Sequence, residues 1–168
     1  MLVVPRRPLV SLRELTDTEK RELWQLVHGI SEVLIKFGGT VFAFEHGSGK
    51  SGSLMGCGVD QAHLHLVPLT FDLVETAISQ PSAEIDWLTF DTLTLDSLPV
   101  TGEYISVWQV GSGKGAIGYV KQSVSQWMRR VIAAKLGIDE QWDYRTSPQT
   151  EIIRTTVAMI RQTTLSTK

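Results

Sequence analysis

The sequence predicts an α+β fold from three observations. A capping box opens a long run of helically spaced apolar residues, two β-rich runs enclose a glycine-rich loop, and a second β-rich pair flanks Gly-Ser-Gly-Lys-Gly in the manner of a hairpin. A single α+β domain over residues 1–168 accounts for all of these, with a core at 2–69 and a C-terminal hairpin and helices at about 104–163.

Leu2–Pro5 reads as the end of a strand, which Pro5, Arg6, Arg7 and Pro8 stop from continuing as a central one. Thr16, with Glu19 three residues on, forms the capping box; Leu23, Leu26, Val27, Ile30, Val33 and Leu34 follow at helical spacing, so Asp17 to Phe37 is one amphipathic helix that Gly38-Gly39 ends. Thr40–Phe44 is strand-like, Gly47–Gly58 is a loop with five glycines, and Asp60–Leu66 alternates as a strand until Pro68. Phe71–Ser79 suits a short helix, and the Asp-rich turns of Ser82–Pro99 favour surface loops. Tyr104–Val110 and Ala116–Lys121 make the hairpin. Ser123–Leu136 is a basic amphipathic helix with Gly137 at its C-terminal end, and Thr150–Thr163 is a last helix whose Ile152, Ile153, Val157 and Ile160 are expected on its buried side.

The 168 residues carry 16 basic and 18 acidic side chains and one cysteine. A lone Cys57 can build neither an intrachain disulfide nor a cysteine zinc site. No apolar run reaches the roughly 18 residues of a membrane helix, and Met1–Pro8 does not read as a signal peptide, so the expectation is a cytoplasmic protein with no membrane partner. The net charge of -2 offers no broad nucleic-acid surface, so an anionic ligand needs a local site.

Gly49-Lys50-Ser51 imitates the end of a P-loop, but Phe44 stands where that pattern wants glycine, and Gly52-Ser53-Leu54-Met55-Gly56 offers no helix to hold phosphate. His63-Leu64-His65 is the stronger pattern. On a strand, residues two apart lie on one face at roughly 6.5–7 Å, so the two imidazoles share a surface while Leu64 and Leu66 enter the core. Two of the four histidines are concentrated there. Such a pair fits a polar strand face, a reactive site, or a two-histidine metal site completed by His46 or Asp60.

The stretch from Cys57 to Pro68, CGVDQAHLHLVP, resembles the signature of the histidine-triad (HIT) superfamily, His-φ-His-φ-His-φ-φ with φ apolar. Leu2-Val3-Val4-Pro5-Arg6-Arg7 and Leu12–Glu22 are similar to the strand, basic turn and helix that precede the motif, and Phe44-Glu45-His46-Gly47 to the phosphate-side strand end of bacterial members. Over Ser125–Arg145 the likeness is to the diadenosine-tetraphosphate hydrolase branch; Asp72–Tyr104 has no counterpart. The resemblance implies a HIT-like fold with an antiparallel sheet and flanking helices. It also implies hydrolysis or transfer of a nucleotide from a dinucleoside polyphosphate or nucleotide phosphoramidate, and a homodimer.

Carried over by position, His63 is the nucleophile on the α-phosphate, His65 bonds phosphate oxygens, and the first triad position falls on Gln61. Gln61 cannot carry a proton as imidazole does, but it keeps the main-chain carbonyl that in the family holds the nucleophile's second nitrogen. The substitution leaves two readings, a slow enzyme or a nucleotide-binding regulatory protein. His46, Ser53, Gly56, Cys57, Gly58 and Gln126 are the expected nucleotide and phosphate contacts, with Ser48 and Ser51 as further donors. No metal or other cofactor is required for a histidine nucleophile; magnesium would arrive with the nucleotide. Trp127 and Trp142 are expected to pack, and His28 to be structural or solvent-facing.

Overall fold

A computed structural model describes residues 1–53, 60–82, 84–122 and 124–165, with side chains through 162. It divides into two compact units, Met1–Met128 and Arg129–Lys168.

The first unit is built on a six-stranded antiparallel sheet. Its strands are β1 (Leu2–Val3), β2 (Thr40–Gly47), β3 (Leu64–Leu69), β4 (Ile85–Phe90), β5 (Glu103–Gln109) and β6 (Gly115–Val120), in the order β1-β3-β2-β5-β6-β4. Two helices, α1 (Asp17–Leu34) and α2 (Leu73–Ser79), accompany it, α1 against β3 and α2 against β5 and β6. The expected α+β class is what the chain adopts.

Helix α1 starts where its sequence dictates. The Thr16 hydroxyl accepts from the Glu19 amide at 3.3 Å and the Glu19 carboxylate accepts from the Thr16 amide at 2.8 Å, so two amides with no partner in the first turn are satisfied. Leu23, Val27 and Leu34 on its inner face join Leu12, Ala43, Leu64, Leu66, Trp108 and Ile117 in one buried cluster. A tight turn, Ile35–Phe37, continues the helix to the predicted Phe37, and Gly38 and Gly39, at φ 92° and 82°, end it in a conformation that side-chain-bearing residues avoid.

Cross-strand pairing fixes which residues share a face. The pairs Ala43↔Leu66 and Ala43↔Trp108 belong to the face packed on α1, whereas Phe44↔His65 and Phe44↔Val107 belong to the other. Strand β2 is central, with seven of its eight residues buried, so both of its faces are interior surfaces. On the α1 side, the Tyr104 ring lies across Gly47, where a Cβ would fall 2.1 Å from two ring carbons. Gly47→Ala should therefore displace a fully buried ring and cost about 2 kcal/mol, measured as a lowered urea midpoint with unchanged slope.

Four expectations need correction. Strand β3 begins at Leu64, not Asp60, and runs through Pro68 to Leu69. The Leu66 amide donates to the Met1 carbonyl, on the β1 side, so the nitrogen of Pro68 two residues on faces the same way, beyond the end of two-residue β1. A proline there breaks no ladder bond. Second, Ser82–Pro99 is not all loop, because Ile85–Phe90 pairs along its full length with β6 as an edge strand. Third, α3 covers Trp127–Leu136, with Ser125 and Gln126 in a turn before it and Gln126 at φ 55°. Fourth, in α4 (Thr150–Leu165) Ile152, Ile153 and Val157 are exposed, and Ile160 alone of the expected four is partly buried.

Within the second unit, guanidinium groups meet aromatic rings. Arg130 lies over Trp142 at 3.5 Å from its centroid, and Arg129 donates from Nε to the Trp142 carbonyl at 2.8 Å. Among the described residues no helix is long and apolar enough to cross a membrane.

Candidate functional site

The face of the sheet turned away from α1 carries the histidines. His65 lies on β3 and His63 one residue before that strand, and both remain partly accessible. Their ring centroids are 5.0 Å apart and their planes inclined at 57°. The alternation Ala62, His63, Leu64, His65, Leu66 is what separates them from the core: the three apolar residues are buried at 3%, 0% and 0% exposure, which forces the intervening imidazoles to the opposite side. Although the hydrogen-bonded strand starts late, this alternation already holds at Ala62, whose amide donates to the Leu9 carbonyl at 2.5 Å.

His63 is held by its neighbour's backbone. Its Nδ1 stands 2.9 Å from the Gln61 carbonyl oxygen, and since a carbonyl only accepts, Nδ1 carries the proton. The neutral ring then has its lone pair on Nε2. The Gln61 side chain is used elsewhere: Nε2 donates to the Pro5 carbonyl at 2.9 Å and the Arg7 carbonyl at 3.3 Å, tying the segment before β3 to the N-terminal strand end. The Gln61 amide nitrogen is thus committed to main-chain carbonyls.

Two residues of β2 complete this face. Phe44 lies flat under His65, centroids 4.3 Å apart and planes within 7°, and His46 meets the edge of Phe44 at 5.9 Å. His46, expected among the phosphate contacts, lies on strand β2. It is buried there, its Nε2 accepts from the Met128 amide at 3.3 Å, and burial together with the repulsion of His63 holds its pKa down to about 3. His46 is thus a neutral acceptor. Gln126, also buried, lies in the turn two residues before Met128, so the chain brings it to the same end of β2.

The serine donors are placed differently from expectation. Ser53 is buried and its hydroxyl donates to Glu103, while the Ser51 hydroxyl and Gly52 amide donate to the Asp60 carboxylate, holding its pKa down. In this arrangement each of these two serine hydroxyls donates to a carboxylate. The Ser48 carbonyl accepts from Arg13 at 2.5 Å. Gly56, Cys57 and Gly58 lie outside the described residues. Ser51 and Gly52 lie in a turn, and residues 54–59, where a P-loop helix would run, lie outside the described residues. No group of three or more His, Cys, Asp or Glu among the described residues is arranged to hold a metal ion.

Sequence reasoning missed the stacking of Phe44, which only the β2–β3 register reveals, and a buried polar group on the far side of β2. Glu45, between Phe44 and His46, has its carboxylate wholly inside the protein, where it accepts from the Leu12 amide at 2.7 Å and the Tyr104 hydroxyl at 2.5 Å. An alternating central strand with a charge on its core side is the one signal that could have drawn attention to it.

No family model matches the chain, and no curated protein matches it either.

Proposed function

We propose that this chain is a HIT-like protein acting on the α-phosphate of dinucleoside polyphosphates or nucleotide phosphoramidates, with His63 as nucleophile. The observation that carries the reading is the bond from His63 Nδ1 to the Gln61 carbonyl, which leaves the lone pair on Nε2, beside a second imidazole on the same face. The Nε2 atom can attack phosphorus only in that tautomer. The motif position of Gln61 supplies the required acceptor through its main chain, so replacing histidine there leaves the nucleophile's orientation intact.

In the proposed reaction, Nε2 attacks the α-phosphorus in line, an N–P bond forms, and the P–O or P–N bond to the leaving group breaks with its electron pair departing on that group. Water then attacks the same phosphorus and the N–P bond breaks, returning the pair to Nε2. In this reading His65, its ring centroid 5.0 Å from that of His63 and its ring stacked on Phe44, bonds the phosphate oxygens. A second reading, a nucleotide-binding protein without turnover, is favoured by the Gln61 amide, which is committed to Pro5 and Arg7.

The intermediate provides the test. Protein mixed with α-labelled diadenosine tetraphosphate or adenosine phosphoramidate and quenched in alkali, where an N–P bond survives, should retain label that acid releases. His63→Ala should retain none. Label bound equally by both proteins would refute the assignment, and binding without label or turnover in wild type would favour the second reading.

A further inference from the structure

We propose that Glu45 is a positioning residue of the histidine site, acting through β2 from the opposite face of the sheet, with Tyr104 and Ser11 as its hydrogen-bond relay. The inference rests on the reading of His63 and His65 as the reactive pair.

Strand β2 is the element common to both faces. Phe44 and His46 point to the histidine side, Phe44 as the surface on which His65 stacks and His46 as the acceptor of the Met128 amide; Glu45, between them, points to the α1 side. Its two carboxylate oxygens have different partners. One accepts from the Leu12 amide, in the turn Leu12–Glu14, and the other from the Tyr104 hydroxyl. Tyr104 also lies 2.8 Å from the Ser11 hydroxyl, and its ring covers Gly47, the last residue of β2. The three-residue run that carries the site is thus fastened from behind by one side chain.

The relay has two proton arrangements over the same heavy atoms. With Glu45 ionised, Ser11 donates to Tyr104 and Tyr104 donates to the carboxylate. With Glu45 protonated, the carboxylic acid donates to Tyr104 and Tyr104 donates to Ser11. Burial pushes Glu45 up to about 7, against the opposing effects of the Tyr104 and Leu12 hydrogen bonds and of Arg13; Glu14 adds to the rise. Arg13 and Glu14 on the turn and Tyr104 on β5 are the charged or titratable groups that act on it. Arg13 lies over the Tyr104 ring at 5.1 Å and donates to the carbonyls of Pro99, Ser48 and Gly102, so the same turn also fastens the start of the loop after β2.

The Met128 backbone amide reports on this coupling without nucleotide, because it bonds His46 on the face opposite Glu45. Its NMR shift should step with a midpoint near 7, and the step should vanish in Glu45→Gln, which fixes the neutral form. It should persist in His63→Ala, excluding titration of that ring as its source. Tyr104→Phe keeps the ring over Gly47 but removes a donor to the carboxylate, and should move the midpoint to higher pH; this variant decides the matter if Glu45→Gln does not fold. An unchanged Met128 profile in both variants, or no step in wild type, overturns the inference. In turnover of diadenosine tetraphosphate, Glu45→Gln should lower kcat by about ten- to a hundred-fold with little change in KM. Absence of wild-type turnover would defeat the enzymatic reading, while the Met128 profile would still decide the role of Glu45.

Discussion

Replacement of His63 by alanine is expected to lower turnover of diadenosine tetraphosphate or adenosine phosphoramidate by about 10³-fold or more while leaving the urea midpoint nearly unchanged. The imidazole lies partly exposed on the sheet, and its one described hydrogen bond is to the carbonyl two residues back, so its removal opens no cavity in the α1-side core. The comparison that separates chemistry from binding is Gln61→His. That change keeps the carbonyl that orients His63 but removes an amide donating to Pro5 and Arg7, at a cost of roughly 1 kcal/mol per lost bond. An active wild type that loses its activity in His63→Ala supports the nucleophile. A silent wild type that gains activity in Gln61→His supports the regulatory reading, and turnover that survives in His63→Ala eliminates His63 from the chemistry.

The second large effect concerns folding and pH. Glu45 and His46 are adjacent on β2, buried on opposite faces, and displaced in opposite senses: Glu45 is raised from 4.5 to about 7 and His46 lowered from 6.5 to about 3. Between pH 4.5 and 7 the native protein holds a proton on Glu45 that the unfolded chain has released, so this residue makes stability fall as pH rises. Between about 3 and 6.5 the unfolded chain binds a proton on His46 that the native protein refuses, so that residue makes stability rise. Each slope is about 1.4 kcal/mol per pH unit, and over the shared interval from 4.5 to 6.5 they cancel. Wild type should therefore give a plateau there in urea denaturation. Glu45→Gln should turn the plateau into an upward slope and His46→Gln into a downward one, a divergence of several kcal/mol across the interval. Curves that remain parallel in all three proteins would show that neither group titrates as described.

Much of the fold was legible because its signals are local. The Thr16–Glu19 box, Gly38-Gly39 and the Gly-rich hairpin tip each specify a boundary by backbone chemistry, and the structure follows them. What was not legible depends on partners far along the chain. Asp86, Leu88 and Thr89 are exposed on an edge strand that exists only because β6 pairs with it, so its composition resembles a loop. Pro68 looks like a stop until the shortness of β1 is known. At the site, the histidine pair and the Gln61 carbonyl followed from spacing and motif, whereas Phe44 under His65 depends on register, and the serines' carboxylate partners depend on contacts with Asp60 and Glu103. The apolar spacing of α4 gave its helical period correctly, but periodicity alone does not say what covers a face.

The strand order has a consequence for how the site can move. β2 and β3, which carry His65, Phe44 and His46, have neighbours on both sides, with β2 joined to β3 and to β5, a strand some sixty residues later in the chain. To open β2, two ladders must separate together, and the loss of both is close to loss of the whole sheet; β1 and β4, each with one neighbour, can fray alone. The histidine face is therefore built on strands that are harder to open alone than the sheet edges β1 and β4.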